Sequence, residues 1–308
     1  MNPTPMAQAI PSLSIGPIPY YWPRADVVRF YATVAATPVA RIYLGETVCS
    51  RRHELRAQDW LALARELAAA GKQVVLSSQT LIESMADVRA LESLAGNPEF
   101  TIEANDMSAV ALLAGRTNFV AGPHLNLHSP DTLEWMSGLG ATRWVVPPDL
   151  PGAQIASLLA TRPAGLEAEV LVHGRLPLAF SARCFTARHF NLPKEDCQFR
   201  CIEHPDGLPL ATREGTPFLT LNGIQTQSAA VQSLLTEVPA LHNLGVNALR
   251  ISPQATGMEA VIGAYAGALA DPSAIAEIAA DLGQWFPAPL CNGYWHGEPG
   301  MRWVEAAA

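Results

Sequence analysis

The chain has 308 residues, of which 49% are hydrophobic and 16% charged; that supplies a sizeable core and excludes a mainly disordered polymer. The length suits one large α/β barrel, which reaches ~250 residues as a unit, or two smaller domains. A net charge of −8 argues against nucleic acid as a partner, since such binding wants a basic face.

Taken in chain order, the pattern is strand, loop, helix, repeated. Residues 12–18 read as a short strand and 24–35 as a helix, with apolar residues at Val27, Val28, Phe30, Tyr31 and Val34. Strand 39–44 leads to a helix over 53–70, ended by Gly71. Then follow strand 73–77 and helix 81–95, strand 100–104 and helix 108–116, strand 118–121 and helix 130–138, strand 143–146 and helix 153–161, and strand 167–173. The rhythm breaks there. Residues 174–217 form a long insertion carrying Pro177, Pro193, Pro205 and Pro209, three cysteines and little periodicity. Structureless loops beyond ~12–15 residues are uncommon unless functional. Regular segments resume at 218–221, 231–237, 246–251 and 259–269, and the tail from 287 carries Trp295 and Trp303 without a clear element.

About eight strand–helix units imply a parallel sheet, and that number favours a closed (β/α)8 TIM-type barrel over an open doubly wound sheet. No GxGxxG or GxxxxGK[ST] motif marks a strand-to-helix turn. The expected organisation is a single barrel domain over 1–295, with the insertion at 174–217 and a tail at 296–308. The apolar stretch 61–70 is broken by Arg65 and Glu66, well short of the ~20 residues a spanning helix needs. Residues 1–22 lack the basic and compact apolar regions of a secretion signal. A cytoplasmic protein with no membrane span is expected.

In barrels of this kind chemistry sits on loops past the C-terminal strand ends. Past the predicted strands stand Gly45, Glu46, Thr47 and Cys49; Asn105 and Asp106; His124 and Asn126; His173, Arg175 and Cys184; Asn222, Gln225 and Thr226; Ser252 and Gln254. Such a rim suits a polar ligand, although any one of these residues also suits a turn or a cap.

The cysteines say more. Five is an odd number, and thiols or metal ligands are a better reading than a disulfide framework. Cys184, Cys197 and Cys201 form C-x12-C-x3-C inside the insertion, and a loop can wrap a thiolate site. A fourth ligand completes tetrahedral zinc or a 4Fe–4S cluster. Cys49 and Cys291 are the options, and Cys49 is favoured by its place just past a strand. No CxxC pair of the usual zinc kind is present, which tilts the reading toward iron–sulfur. Buried structural thiols and a nucleophilic cysteine near His189 or His204 remain the alternatives. Basic residues gather in the same stretch: Arg175, Arg183, Arg188, Lys194 and Arg200, opposed by Glu195 and Asp196. They suit a small anion, a reduced cluster or ordinary surface ion pairing. Phe185, Phe190 and Phe199 suit either a partner surface or a cover over the site.

Five segments are specific. YLGETVCSRRHELRAQDW (43–60), LPLAFSARCFTARHFNLPKEDCQFRCIEHPDG (176–207), LNGIQTQSA (221–229), RISPQ (250–254) and CNGYW (291–295) resemble the UbiV-like group of the peptidase U32 family. The SARCFTAR run and the cysteine spacing resemble the wider family. The resemblance spans about residues 14–295 and implies a (β/α)8-type barrel. It implies a role in oxygen-independent ubiquinone biosynthesis, beside a second U32-family protein, UbiU, and a lipid-binding accessory protein, UbiT. Prephenate is the implied oxygen source for hydroxylating the quinone ring precursor. The implied cofactor is a 4Fe–4S cluster on Cys49, Cys184, Cys197 and Cys201, with Cys291 outside the set. Arg183, beside a cluster ligand, and Arg250, on a strand end, are candidate carboxylate-binding groups, with Asn222 and Glu46 on the same rim. Arg183 equally suits a hydrogen bond to cluster sulfur or to a backbone carbonyl. A partner-stabilising subunit with a structural cluster and a U32-type hydroxylase of RNA bases are the other readings. No Ser-His-Asp, HExxH or Cys-His constellation supports a protease.

Overall fold

The computed structural model describes residues 9–282 and 288–305. Residues 1–8, part of the stretch weighed above as a leader, lie outside the described residues, as do 283–287 and the end of the tail at 306–308.

Eight parallel strands close a barrel. They are β1 (Ser12–Ile15), β2 (Arg41–Leu44), β3 (Gln73–Ser77), β4 (Thr101–Ala104), β5 (Phe119–Ala121), β6 (Ala141–Val145), the first half of β7 (Glu167–Phe180) and, later in the chain, β11 (Ala248–Ile251). Neighbours in sequence pair in order, and β11 closes the ring between β7 and β1. The outer ring holds α1 (Arg24–Ala35), α2 (Ala57–Ala69), α3 (Met85–Ala95), α4 (Met107–Leu113), α5 (Pro130–Gly138), α6 (Gly152–Thr161), α8 (Val238–Asn243) and α9 (Met258–Ala270). A further helix, α10 (Ile275–Leu282), packs on α9. The molecule is a (β/α)8 barrel.

Alternation along each strand builds two cores. Leu13, Ile15, Ile42, Ile102, Phe119 and Trp144 face outward into one apolar core with the helices. Tyr43, Val75, Val120 and Val145 point the other way and form a separate cluster inside the ring. Helix starts follow capping chemistry. Helix α3 begins at Met85 and not at 81, because Ser84 Oγ accepts the Asp87 amide while the Asp87 carboxylate accepts the Ser84 amide at 2.9 Å. Likewise α2 begins at Ala57 and not at 53, with the Asp59 carboxylate taking the Arg56 amide at 2.8 Å.

The insertion differs from the expected irregular loop. Strand β7 does not stop at His173 but runs on to Phe180 and pairs antiparallel with β10 (Gln225–Ser233). Strand β9 (Pro217–Asn222) adds to β10, and β8 (Leu208–Ala211) forms the edge. Prolines hid these strands, and each sits where a missing N–H is tolerated. Pro177 faces Gln227 at a register shift, Pro209 lies in the edge strand, and Pro217 is the first residue of β9. Between β7 and β8 come a short helix, α7 (Phe185–His189), and two 3-10 turns. The segment expected at 231–237 is instead the end of β10 followed by α8. The tail also carries an element: β12 (Leu290–Cys291) pairs with β10, and the Gly152 amide donates to Trp295 O at 2.8 Å. A Cβ at Gly152 would meet the Trp295 ring at 2.9 Å, so glycine is required there.

Charge fills the rest of the barrel interior. Glu169, fully buried, accepts from Ser14 Oγ (2.7 Å), Tyr43 Oη (2.6 Å) and Arg250 Nε (2.7 Å). The Arg250 guanidinium also meets Glu103 at 2.7 Å and lies 3.9 Å from the Tyr43 ring centroid. Glu103 accepts from Ser77 Oγ at 2.7 Å, and Arg143 approaches Glu169 at 3.4 Å while pairing with Glu167. Burial pushes the Glu169 carboxyl up, but Arg250, Arg143 and the Tyr43 hydroxyl overcome it and bring it down to about 2.

Removing one partner of a buried ion pair strands the other charge. Glu169→Gln should therefore lower unfolding free energy by ~3–5 kcal/mol, read from denaturant midpoints at neutral pH. The pH dependence has a definite sign. Burial holds His124 and His173 down to about 4 from 6.5, so their contribution is complete above pH 6.5 and lost as pH falls toward 4. The Glu169 contribution is complete above pH 4.5 and lost as pH falls toward 2. Midpoints of the wild type should fall through both windows, and those of Glu169→Gln should fall less steeply than the wild type through the lower one.

Candidate functional site

Four of the five cysteines meet. Cys49, Cys184, Cys197 and Cys201 line one cavity at the C-terminal face of the barrel, together with Arg51, Arg52, Lys194, Arg200 and Phe199. Its free volume is about 20 Å3, so the side chains themselves fill most of the space.

Three segments build it. The first is the β2–α2 loop. Here Glu46 Oε1 accepts the amides of Val48 and Cys49 at 3.0 and 3.1 Å, which turns the chain and fixes Cys49. The second is the insertion. Cys184 caps α7, its Sγ accepting the Ala187 amide at 3.4 Å. Gln198 and Phe199, between Cys197 and Cys201, both have left-handed backbone, φ 50° and 52°. Two such non-glycine residues in succession store strain of the kind found at ligand clamps. The third is the β9–β10 turn, whose Gly223 has φ +64° and on which a Cβ would meet Arg52 Nη2 at 3.1 Å. Gly223 O accepts the Phe185 amide at 2.8 Å, which seats α7 on this turn.

Arg52 joins all three. Its guanidinium is buried, donates to Pro19 O (2.8 Å) and to Asn222 Oδ1 (2.6 Å), and lies 3.5 Å from Glu46. Burial pushes both Cys49, to about 11, and Cys201 up, and Arg52 acts against that rise at each thiol. The insertion is also tied down from outside. Lys194 Nζ donates to Ala182 O at 2.7 Å and pairs with Glu83, and Arg51 Nη2 donates to Glu195 O at 2.7 Å. Phe199 packs between Tyr21 and His53, at 5.9 and 4.9 Å between ring centroids, and closes one wall of the cavity. Phe190 stacks on His204 beneath the Arg200 guanidinium.

Among the described residues, no group of three or more His, Cys, Asp or Glu side chains converges tightly enough to hold a single metal ion. A polynuclear iron–sulfur group makes a different demand, because each thiolate meets its own iron. Four thiols on one cavity walled by Arg51, Arg52, Lys194 and Arg200 fit that donor set and its negative charge.

Cys291 is elsewhere, fully buried with Leu176, Ala230 and Tyr294; burial pushes it up to about 12. The other predicted site residues divide. Glu46 and Asn222 belong to the Arg52 scaffold behind the thiols. Arg183 is exposed and lines neither this cavity nor the barrel mouth. Arg250 lines the mouth, but two carboxylates already hold it. The mouth cavity, about 70 Å3, also gathers Thr47, Asn105, His124, Arg175, Gln225 and Ser252 from the expected rim. Asn105 Oδ1, Gln227 Oε1 and Arg250 Nη2 are buried there without a hydrogen-bond partner. Sequence reasoning passed over Arg52 and Gln227. The signal for Arg52 was the basic pair three residues past Cys49; nothing in sequence marked Gln227.

A model of peptidase family U32 matches residues 27–305. The chain belongs to the peptidase U32 family. Among solved structures, the U32 peptidase Mk0906 is 12% identical, with a TM-score of 0.46, over 82% of this chain and 97% of that one. The spore cortex-lytic enzyme SleL of Bacillus megaterium is 11% identical, with a TM-score of 0.37, over 82% of this chain and 72% of that one. In this U32 chain, no described helix is long and apolar enough to cross a membrane.

Thiol exposure and burial order the reactivity of the metal-free protein. Cys184, Cys197 and Cys201, half-exposed, should alkylate with iodoacetamide before buried Cys49 and Cys291, followed by mass spectrometry under native conditions.

Proposed function

We propose that this U32-family chain is an iron–sulfur subunit of an oxygen-independent hydroxylation in ubiquinone biosynthesis, working with UbiU as a heterodimer. The observation that carries the reading is the meeting of Cys49, Cys184, Cys197 and Cys201 on one basic cavity. Those four thiolates would hold a 4Fe–4S cluster, which supplies one-electron chemistry when bound. The chain's own residues do the rest. Arg52 places a fixed positive charge beside Cys49 and Cys201, Glu46 orients the Cys49 loop, and Phe199 shields one wall from water. The segments that resemble UbiV-like proteins lie on this site: 43–60 supplies Cys49 and Arg52, and 176–207 the other three cysteines. The resemblance brings prephenate and the ubiquinone precursor as small-molecule ligands of the pair, with a UbiT-like lipid-binding protein beside it.

A second reading, a partner-stabilising subunit with a structural cluster, is favoured by one observation. Neither arginine expected to grip a dicarboxylate is free in a cavity, since Arg250 is held by Glu103 and Glu169 and Arg183 faces solvent. On that reading UbiU supplies the substrate pocket.

Anaerobic reconstitution of the purified chain should give about four iron and four sulfide per chain, with the broad visible absorbance of such a cluster. Cys49→Ala should lose most of the iron, and Cys291→Ala should keep it. The reverse pattern would move the fourth ligand to Cys291 and remove the site described here. Scoring Cys197→Ala separately for UbiU co-purification and for ring hydroxylation divides the two readings. Pairing retained without hydroxylation supports a redox role, and loss of pairing supports a structural one.

A further inference from the structure

A sizeable cavity lies at neither the thiols nor the barrel mouth. It lies outside the barrel wall, between β2 and β3 on one side and α2 and α3 on the other, and its volume is about 370 Å3. In the helix ring α1 packs on α2 and α3 packs on α4, while α2 and α3, like several other neighbours in the ring, make little direct contact. Arg65 of α2 reaches the segment past α3, its Nε donating to Glu99 at 2.8 Å. Close-packed interiors leave few voids larger than a water molecule, so a gap of this size requires an explanation.

Its walls are apolar. Trp60 and Leu61 of α2, Leu91 and Leu94 of α3, and Leu55 and Ile82 from the loops line it. Apart from buried Leu55 and Leu91 these side chains are half-exposed, so the cavity opens to solvent along one side. Polar side chains, among them Gln79, Asp87, Ser93 and Asn97, share the lining. Asn97, just past α3, uses its Oδ1 to accept the Glu99 amide at 2.7 Å, but its Nδ2 is buried with no hydrogen-bond partner. A buried donor left unpaired costs about 1–3 kcal/mol, and a ligand oxygen would satisfy it. Another part of the lining is formed by Glu46 and Arg52, the groups behind Cys49 and Cys201.

We infer that the α2–α3 cavity is a binding site for a small apolar molecule, of aryl or alkyl class, that carries one hydrogen-bond-accepting oxygen directed to Asn97 Nδ2. A volume in the range of ligand pockets, apolar walls and one orphaned donor are the attributes of such a site. The inference does not rest on the proposed function, since the cavity is separate from the barrel mouth and needs no metal.

Calorimetry on the full-length chain tests it, with two alkyl aryl ketones as probes. Octanophenone should bind saturably and at least about ten-fold tighter than butyrophenone, because its longer chain buries more apolar surface. Ala90→Phe and Ser93→Phe place a ring into the gap from the exposed side of α3 and should each weaken octanophenone about ten-fold or more without lowering Tm. Asn97→Asp keeps the acceptor for the Glu99 amide and removes the donor, and should weaken octanophenone severalfold. Photolysis with benzophenone should label peptides of α2 and α3 in the wild type, which keeps the test independent of how the variants fold. No saturable binding by the wild type, or labelling confined to other segments, overturns the inference. Octanophenone binding unchanged in folded Ala90→Phe and Ser93→Phe overturns it equally.

Discussion

A carboxylate with no exposed surface, Glu169, sits inside the barrel and organises it. Burial alone would neutralise it, since an isolated buried charge costs many kcal/mol. It stays ionised because Arg250, Arg143, Ser14 and Tyr43 converge on it. Through Arg250 the network reaches Glu103, and through Glu103 it reaches Ser77. Every barrel strand except β5 contributes a side chain. Barrels of this type usually fill their interior with layers of branched apolar residues. Here one apolar group, Tyr43, Val75, Val120 and Val145, shares the interior with charge. The consequence is register specificity. A slip of one residue in β4, β6, β7 or β11 would turn an ionised group into the apolar core beneath the helices.

The thiol site depends on a second buried arginine in a different way. Arg250 is matched by two carboxylates and has little charge left for a ligand. Arg52 has one carboxylate at 3.5 Å, and its close hydrogen bonds go to neutral oxygens of Pro19 and Asn222. Its charge is therefore free to act on Cys49 and Cys201. The same guanidinium spans the segment after β1, the loop after β2 and the turn between β9 and β10, so loss of Arg52 would disorganise all three. This contrast explains why two buried arginines have unlike roles.

Much of the barrel was legible because its strands and helices alternate with clean periodicity, and the cysteine spacing pointed to the thiol cavity. The failures have particular causes. Pro177 suggested an end to β7, whereas a register shift opposite Gln227 lets the strand pass through. The two carboxylates that hold Arg250, Glu103 and Glu169, lie far away in sequence and meet it only when the ring closes. Arg183, adjacent to a cysteine in sequence, points away from the cavity that the cysteine lines. Voids leave no periodic trace either. The residues of the α2–α3 cavity read as ordinary amphipathic helix faces, and only the spacing of the assembled helices shows that they do not meet.

The extension of β7 changes how the insertion should be regarded. A loop carrying three cysteines would follow its ligand; a strand does not. Glu169 and Phe180 lie on one continuous β7, and Cys184 begins four residues beyond its end. The strand is anchored at its start by the ion network and along its second half by β10. Cys184 is thereby held by the barrel core, and Cys49 by the Glu46 turn at the end of β2. Cys197 and Cys201 hang instead on two short 3-10 turns and two left-handed residues. The site is thus half rigid and half adaptable. Cys49 and Cys184 are its preorganised thiols, and Cys197 and Cys201 sit on the strained turn.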